Sequence, residues 1–333
     1  MIFLWRVLPL PVQNRCLMMG QGPGGMHERC RRGVRGARGL LAVAFLACVT
    51  VSSARAQSAA GAGIGGVMIG AHLVEPKAAP PPPGIGPMYQ AYAIVTGTDM
   101  RQRPWGFARC LREVLVKVAG DPRLANDPRV AALTGHADRF VAAFAYTDLM
   151  AADALHDDQG TFDRPYRLMV YFDPKRIDAA LGGLGEQPWR GPRPAVVPVL
   201  RVGGPNAPAY LLSAESQAGR EQLASFALAA QQLGMQVRFP TSAMLAGWGI
   251  SPADFPSARA APPADAAAPA ADEMVVLGTL EWSETLPGWI GRWHTAWHGR
   301  SYSWGIRGVN YDAAFGNLLS GAVLLASGRG SPQ

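Results

Sequence analysis

The sequence predicts an α+β or α/β protein of two small domains, each a sheet packed with helices, placed after a cleaved signal peptide and a disordered tether. Three stretches carry that expectation. Residues 88–120 change from a period of two to a helical period and then stop at a glycine. Residues 195–239 read as strand, helix and strand, and residues 274–326 as three strands and a closing helix.

In the first stretch Tyr89, Ala91, Ala93 and Val95 alternate with Gln90, Tyr92, Ile94 and Thr96, the period-two pattern of a part-buried strand. Beyond it Phe107, Cys110, Leu111, Val114, Leu115 and Val118 recur at steps of three and four. They form one apolar stripe, with Arg109, Arg112, Glu113 and Lys117 on the other side. Pro104 suits a first helical turn, and Gly120 before Asp121 and Pro122 ends the helix. Asp127 and Pro128 start a short second helix through Leu133, and residues 140–146 read as a strand. A polar connection with His156, Asp157, Asp158 and Asp163 leads to a strand over residues 166–172. Asp173 and Pro174 then repeat the cap-and-proline signal for a helix carrying Ile177, Ala180, Leu181 and Leu184. The three strands are expected to form a small antiparallel sheet with helices on one face, a first domain over residues 88–190.

Residues 187–194 are a joint rich in Pro, Gly and Trp, and the second domain is expected over residues 191–333. Its first strand, over residues 195–202, contains Pro198, which argues against a fully central position. A helix over residues 215–233 with Leu223, Phe226, Ala227, Ala230 and Leu233 on one face leads to a strand over residues 235–239, a parallel unit. Thr241 caps a brief helix, Ser251 and Pro252 make a turn, and residues 256–271 read as an exposed flexible insert of Ala and Pro. Strands over residues 274–281, 289–297 and 302–306 follow, separated by Pro287-Gly288 and His298-Gly299. A helix over residues 310–326, striped by Phe315, Leu318, Leu319, Ala322 and Val323, closes the chain.

The chain of 333 residues has a formal charge of +7, which suggests nucleic acid or an anionic surface. Its distribution removes that argument. Eight arginines and one acid, Glu28, lie in residues 1–56, leaving 23 bases and 23 acids in the remainder. No nucleic-acid partner is therefore expected. Arg29, Arg31, Arg32, Arg35 and Arg38 precede the apolar residues 40–51, and Ala54-Arg55-Ala56 matches a signal-peptidase site. Cleavage after Ala56 would deliver a periplasmic chain with no stable transmembrane anchor, because the apolar run is too short for one. Residues 1–25 read as an upstream extension, with translation starting at Met1 or Met26. Residues 57–87, rich in Gly, Ala and Pro, make the tether. The G-x-G-x-x-G run at residues 61–66 lies in it, without the strand and helix that a dinucleotide site requires. Cys110 is the one cysteine beyond the leader, so no intrachain disulfide is expected there, and its place on the apolar stripe reads as a small buried hydrophobe.

The chemistry-bearing constellations are few. Trp289, Trp293 and Trp297 are separated by even steps and share one face of a strand, with Trp282 and Trp304 nearby. They either pack between sheet and terminal helix or offer a stacking surface to a glycan or partner protein. His294 and His298 on a strand lie about 13 Å apart at the usual rise per residue, too far for one ion. Neither the loop acids at residues 157–163 nor Glu281 and Glu284 make a metal or catalytic pattern. There is no G-x-S-x-G elbow, S-x-x-K pair or phosphate loop. No catalytic residue, cofactor or metal is assigned.

An ordered series runs through the chain: Ala108, Leu111, Leu115, Val118, Gly120-Asp121-Pro122, then Ala137, Asp138, residues 140–146, 166–173, 187–194 and 275–280. In these residues the chain resembles the bacterial envelope family catalogued as domain of unknown function 2066. The resemblance implies an exported bacterial protein without an assigned activity. The expected function is a non-catalytic periplasmic binding or adaptor protein of the cell envelope, with an envelope protein or cell-wall glycan as partner. The alternatives are a periplasmic hydrolase with a site assembled from distant residues, or a small-ligand binding domain.

Overall fold

The computed structural model describes residues 81–150, 164–204, 207–253, 255 and 272–332. The leader, residues 57–80 of the tether, the loop holding His156, Asp157, Asp158 and Asp163, and the insert at 256–271 lie outside them.

The first sheet grows from β1 (Gln90–Thr96), β2 (Val141–Asp148) and β3 (Pro165–Phe172), in the order β1-β3-β2 and antiparallel throughout. Alternation sends Ala91, Ala93 and Val95 of β1 and Leu168, Val170 and Phe172 of β3 into one core. Helix α1 (Arg103–Ala119) closes that core with its stripe of Phe107, Cys110, Leu111, Val114, Leu115 and Val118, all buried. Helices α2 (Pro128–Thr134) and α3 (Pro174–Gly183) fill it with Val130, Ile177 and Leu181. Asp127 and Asp173 cap these two as their sequences predict, each accepting from a backbone N–H two residues on.

The second sheet contains β4 (Ala195–Gly204), β5 (Ala207–Leu211), β6 (Gln236–Val237), β7 (Glu273–Ser283), β8 (Gly288–Trp297) and β9 (Arg300–Val309). Its order is β5-β4-β7-β8-β9, with β6 alongside β4. β4 runs parallel to β6 and β7, and the remaining pairs are antiparallel. Helices α4 (Arg220–Leu233) and α6 (Tyr311–Ser327) cover one face, with Phe226, Phe239, Phe315, Leu318 and Trp293 at the centre of the core. The short helix α5 (Ser242–Gly247) and the turn after it cover part of the other face through Leu245, Ile250 and Phe255.

Four elements differ from expectation. β4 is internal to the sheet despite Pro198. The carbonyls of Val196 and Leu200 accept from Arg238 and Leu212 on the β6 and β5 side, so Pro198, two residues from each, points the same way, into the gap between those short strands. No ladder donor is lost there. β5 pairs back on β4, with Gly204 opposite Ala207, a hairpin that the sequence pattern does not announce. α4 begins at Arg220, five residues later than expected, because the Glu215 carboxylate instead accepts from Ser242 N–H and Oγ–H. The strand after α4 shrinks to two residues.

The two sheets meet at the carboxyl end of α1. Gly120 adopts φ 67°, and its N–H and that of Asp121 both return to Val116 O. The carbonyls that follow have no partner within the helix and are taken by distant segments. Lys117 O accepts from Arg193 Nη2 at 2.8 Å, Val118 O from Trp189 N at 2.8 Å, Ala119 O from Arg329 Nε at 2.9 Å and Gly120 O from Ser327 Oγ at 2.9 Å. Arg193 also lies 4.0 Å over the Trp189 ring, and burial pulls its pKa down to about 10. Arg329 reaches further, pairing with Glu186 and donating to Gln187 O at 2.7 Å. The joint at residues 187–194 is thus fixed to α1.

A Cβ at position 120 would sit 2.5 Å from Trp189 Cε3 in a backbone conformation unfavourable to side chains. Gly120→Ala is therefore expected to cost about 2 kcal/mol or more, read as a fall in the urea midpoint, whereas Gly182→Ala, with open space around it, should not. A second expectation concerns acid. Burial raises the Asp121 pKa, but the side-chain and backbone hydrogen bonds from Arg123 and its charge outweigh this, and the net shift is downward. That stabilisation is complete above the ordinary carboxylate pKa and disappears as pH falls through the lowered value. Asp121→Asn should flatten the acid limb of stability against pH; an unchanged limb would contradict the assignment.

Candidate functional site

The hairpin of β8 and β9 is the element on which the sequence places its candidate residues. Its turn is the pair His298-Gly299, at φ 48° and 73°, the positive values that a tight hairpin with right-handed strand twist requires. Period two then sorts the side chains. Trp289, Trp293 and Trp297 do share one face, and that face is turned towards α6. Trp293 is 2% exposed and donates from Nε1 to Asn317 Oδ1 at 2.9 Å. It therefore offers no surface to a ligand, which corrects its assignment as a contact residue. Trp289 and Trp297 are half-buried against the same core, Trp289 edge-on to Trp282. Across from Trp293 on β9 lies Trp304, whose Nε1 donates to Asn317 O at 3.2 Å. The indoles fit because glycines face them: a Cβ at Gly278 of β7 or Gly321 of α6 would overlap the rings of Trp293 and Trp304 respectively.

The opposite face of the hairpin holds Ile290, Arg292, His294 and Ala296 of β8 beside Ser301, Ser303, Gly305 and Arg307 of β9. Most of these are exposed. Glu281 of β7 lies between Arg201, at 2.8 Å, and Arg292, at 3.5 Å, and His294 Nδ1 is 3.0 Å from Ser303 Oγ. His298 stands at the turn, at the hairpin tip. Among the described residues no three or more His, Cys, Asp and Glu side chains converge.

A second surface lies at the end of the first sheet where α1 begins. Among the described residues eight large apolar side chains are exposed, and four of them gather here: Met100 in the loop before α1, Trp105 in its first turn, Phe144 on β2 and Leu149 just past the end of β2. Met100 is 72% and Trp105 52% exposed. Arginines interleave with them. Arg103 lies 4.6 Å over the Phe144 ring and donates from Nε to Tyr146 Oη, Arg109 lies 5.8 Å over Trp105, and Arg101 projects into solvent beside Asp99. Sequence reading missed this surface because Met100 and Trp105 fall between the strand and the helical stripe, and belong to neither period.

The buried titratable groups of α1 serve packing. Lys117 Nζ donates to Gln90 O at 2.6 Å and lies 3.7 Å from Glu113, tying helix to strand. Burial lowers the Lys117 pKa and raises that of Glu113, in each case against their mutual attraction. Burial likewise pushes the Cys110 thiol up, away from the thiolate form that a nucleophile needs.

A family model described as a domain of unknown function, DUF8605, matches residues 85–190. A domain of unknown function is thus matched as expected, but it is not the 2066 family that the sequence reading named. The match takes in the whole first sheet with α1, α2 and α3, and ends inside the joint that clasps α1. No curated protein and no solved structure matches the chain. Among the described residues no helix is long and apolar enough to cross a membrane.

Asn317→Ala is expected to leave the Trp293 N–H buried without an acceptor and to cost about 1–3 kcal/mol in denaturant unfolding. In acrylamide quenching, Trp105→Phe combined with Trp282→Phe should remove most of the readily quenched emission, leaving the protected signal of Trp293 and Trp304.

Proposed function

We propose that the protein is an exported, non-catalytic binding or adaptor protein of the bacterial cell envelope, and that it docks a partner protein through the surface around Met100 and Trp105. The observation that carries the proposal is that surface: exposed Trp, Met and Phe side chains interleaved with arginines, the residue types that anchor protein contacts. It supersedes the β8 tryptophans as the favoured contact. Export is supported by the basic stretch, apolar run and Ala54-Arg55-Ala56 of the leader.

Three measurements test it. A chain recovered from the periplasm by osmotic shock should begin at Gln57; recovery only from the cytoplasm with its leader intact overturns export. A photoreactive phenylalanine analogue at position 105 should crosslink one envelope protein in cells. Met100→Ser with Trp105→Ser should weaken binding to that protein by about 2 kcal/mol, roughly thirtyfold. Capture that is indifferent to these changes defeats the docking surface.

A further inference from the structure

Residues 285–311, the β8–β9 hairpin and its flanks, contain Arg292, Arg300, Arg307, His294 and His298 and not one Asp or Glu. In a chain whose charges otherwise balance beyond the leader, this is a local excess. Strand geometry then concentrates it. Arg292, His294 and Arg307 project from the face away from α6, beside Ile290, Ala296, Ser301, Ser303 and Gly305. Apart from Ile290, half-buried opposite Arg307, the side chains of this face are hydroxyls, small groups and cations, and they are exposed. Glu281 answers part of the charge, but it is shared between Arg201 and Arg292; Arg300 and Arg307 have no carboxylate partner among the described residues. Since α5 and its following turn pack on β4, β5 and β7, the β8 and β9 part of this face is open among the described residues.

We propose that this open face binds a carboxylate-bearing cell-wall glycan strand laid along the hairpin. Extended polymers suit a flat strand pair, arginines give charge-assisted hydrogen bonds to carboxylates, and serine hydroxyls pair with sugar hydroxyls. The choice of cell-wall glycan over other polyanions rests on the export reading above. It is independent of the protein-docking surface, which lies on the other sheet. Together the two faces give an adaptor one hold on the wall and one on a partner.

The test is cosedimentation of the chain beginning at Gln57 with purified insoluble peptidoglycan sacculi, native and with their carboxylates amidated. Binding to native sacculi, lost on amidation and weakened at least roughly tenfold by Arg292→Glu with Arg307→Glu, is the expected result. Both arginines are exposed, and circular dichroism checks that the variant is folded. Ser303→Glu, which adds an acid to the same face, should weaken binding as well. The inference is overturned if the chain does not sediment with native sacculi, if amidation or the charge reversals leave binding unchanged, or if duplex DNA or phosphatidylglycerol vesicles bind it equally well. Failure here, with the position-105 crosslink intact, removes the glycan and keeps the adaptor; failure of the crosslink with sacculus binding intact does the reverse.

Discussion

The structure depends on what becomes of four carbonyl groups. Every helix leaves its last carbonyls without internal partners, and burying them unmet costs about 1–3 kcal/mol each. In α1 the chain meets that demand from far away: Trp189 and Arg193 from the joint after α3, and Ser327 and Arg329 from the C-terminal segment. Because the donors come from opposite ends of the second sheet's sequence, satisfying one helix terminus fixes both sheets to it. Leu233 of α4 packs against both cores at the same place. Gly120 is required because nothing larger would leave room for the Trp189 ring.

Much of this architecture was legible. Period two found β1 and β3, and the turn signals Pro287-Gly288 and His298-Gly299 separated β7, β8 and β9, each to within a few residues. The Asp-Pro and Gly-Asp-Pro signals found the limits of α1, α2 and α3, because caps act within a few residues of the chain. What escaped is non-local. The joint of residues 187–194 reads as a spacer until its Trp and Arg are seen against α1. Pro198 reads as an edge signal unless the gap between β5 and β6 is known. Glu215 is a good helix former that a serine 27 residues away holds out of the helix.

The tryptophan group shows the limit for sites. Spacing established correctly that Trp289, Trp293 and Trp297 share a face. It could not tell which of the two faces would be covered, since that is decided by α6, and by Gly278 and Gly321 making room for indoles. Once the tryptophans turn inward, alternation commits the arginines and serines to the outside. Apolar packing on one side of the hairpin and polar display on the other are one choice, not two.

The clasp on α1 also sets an order in time. Ser327 follows Gly120 by 207 residues, and Arg329 follows Ala119 by 210. A chain still emerging from the ribosome can build β1, α1 and β3, yet α1 waits for its final donors until the segment after α6 has been made. A chain cut before Ser327 keeps open carbonyls at Ala119 and Gly120, so the last turn of α1 registers whether that distant segment is in place.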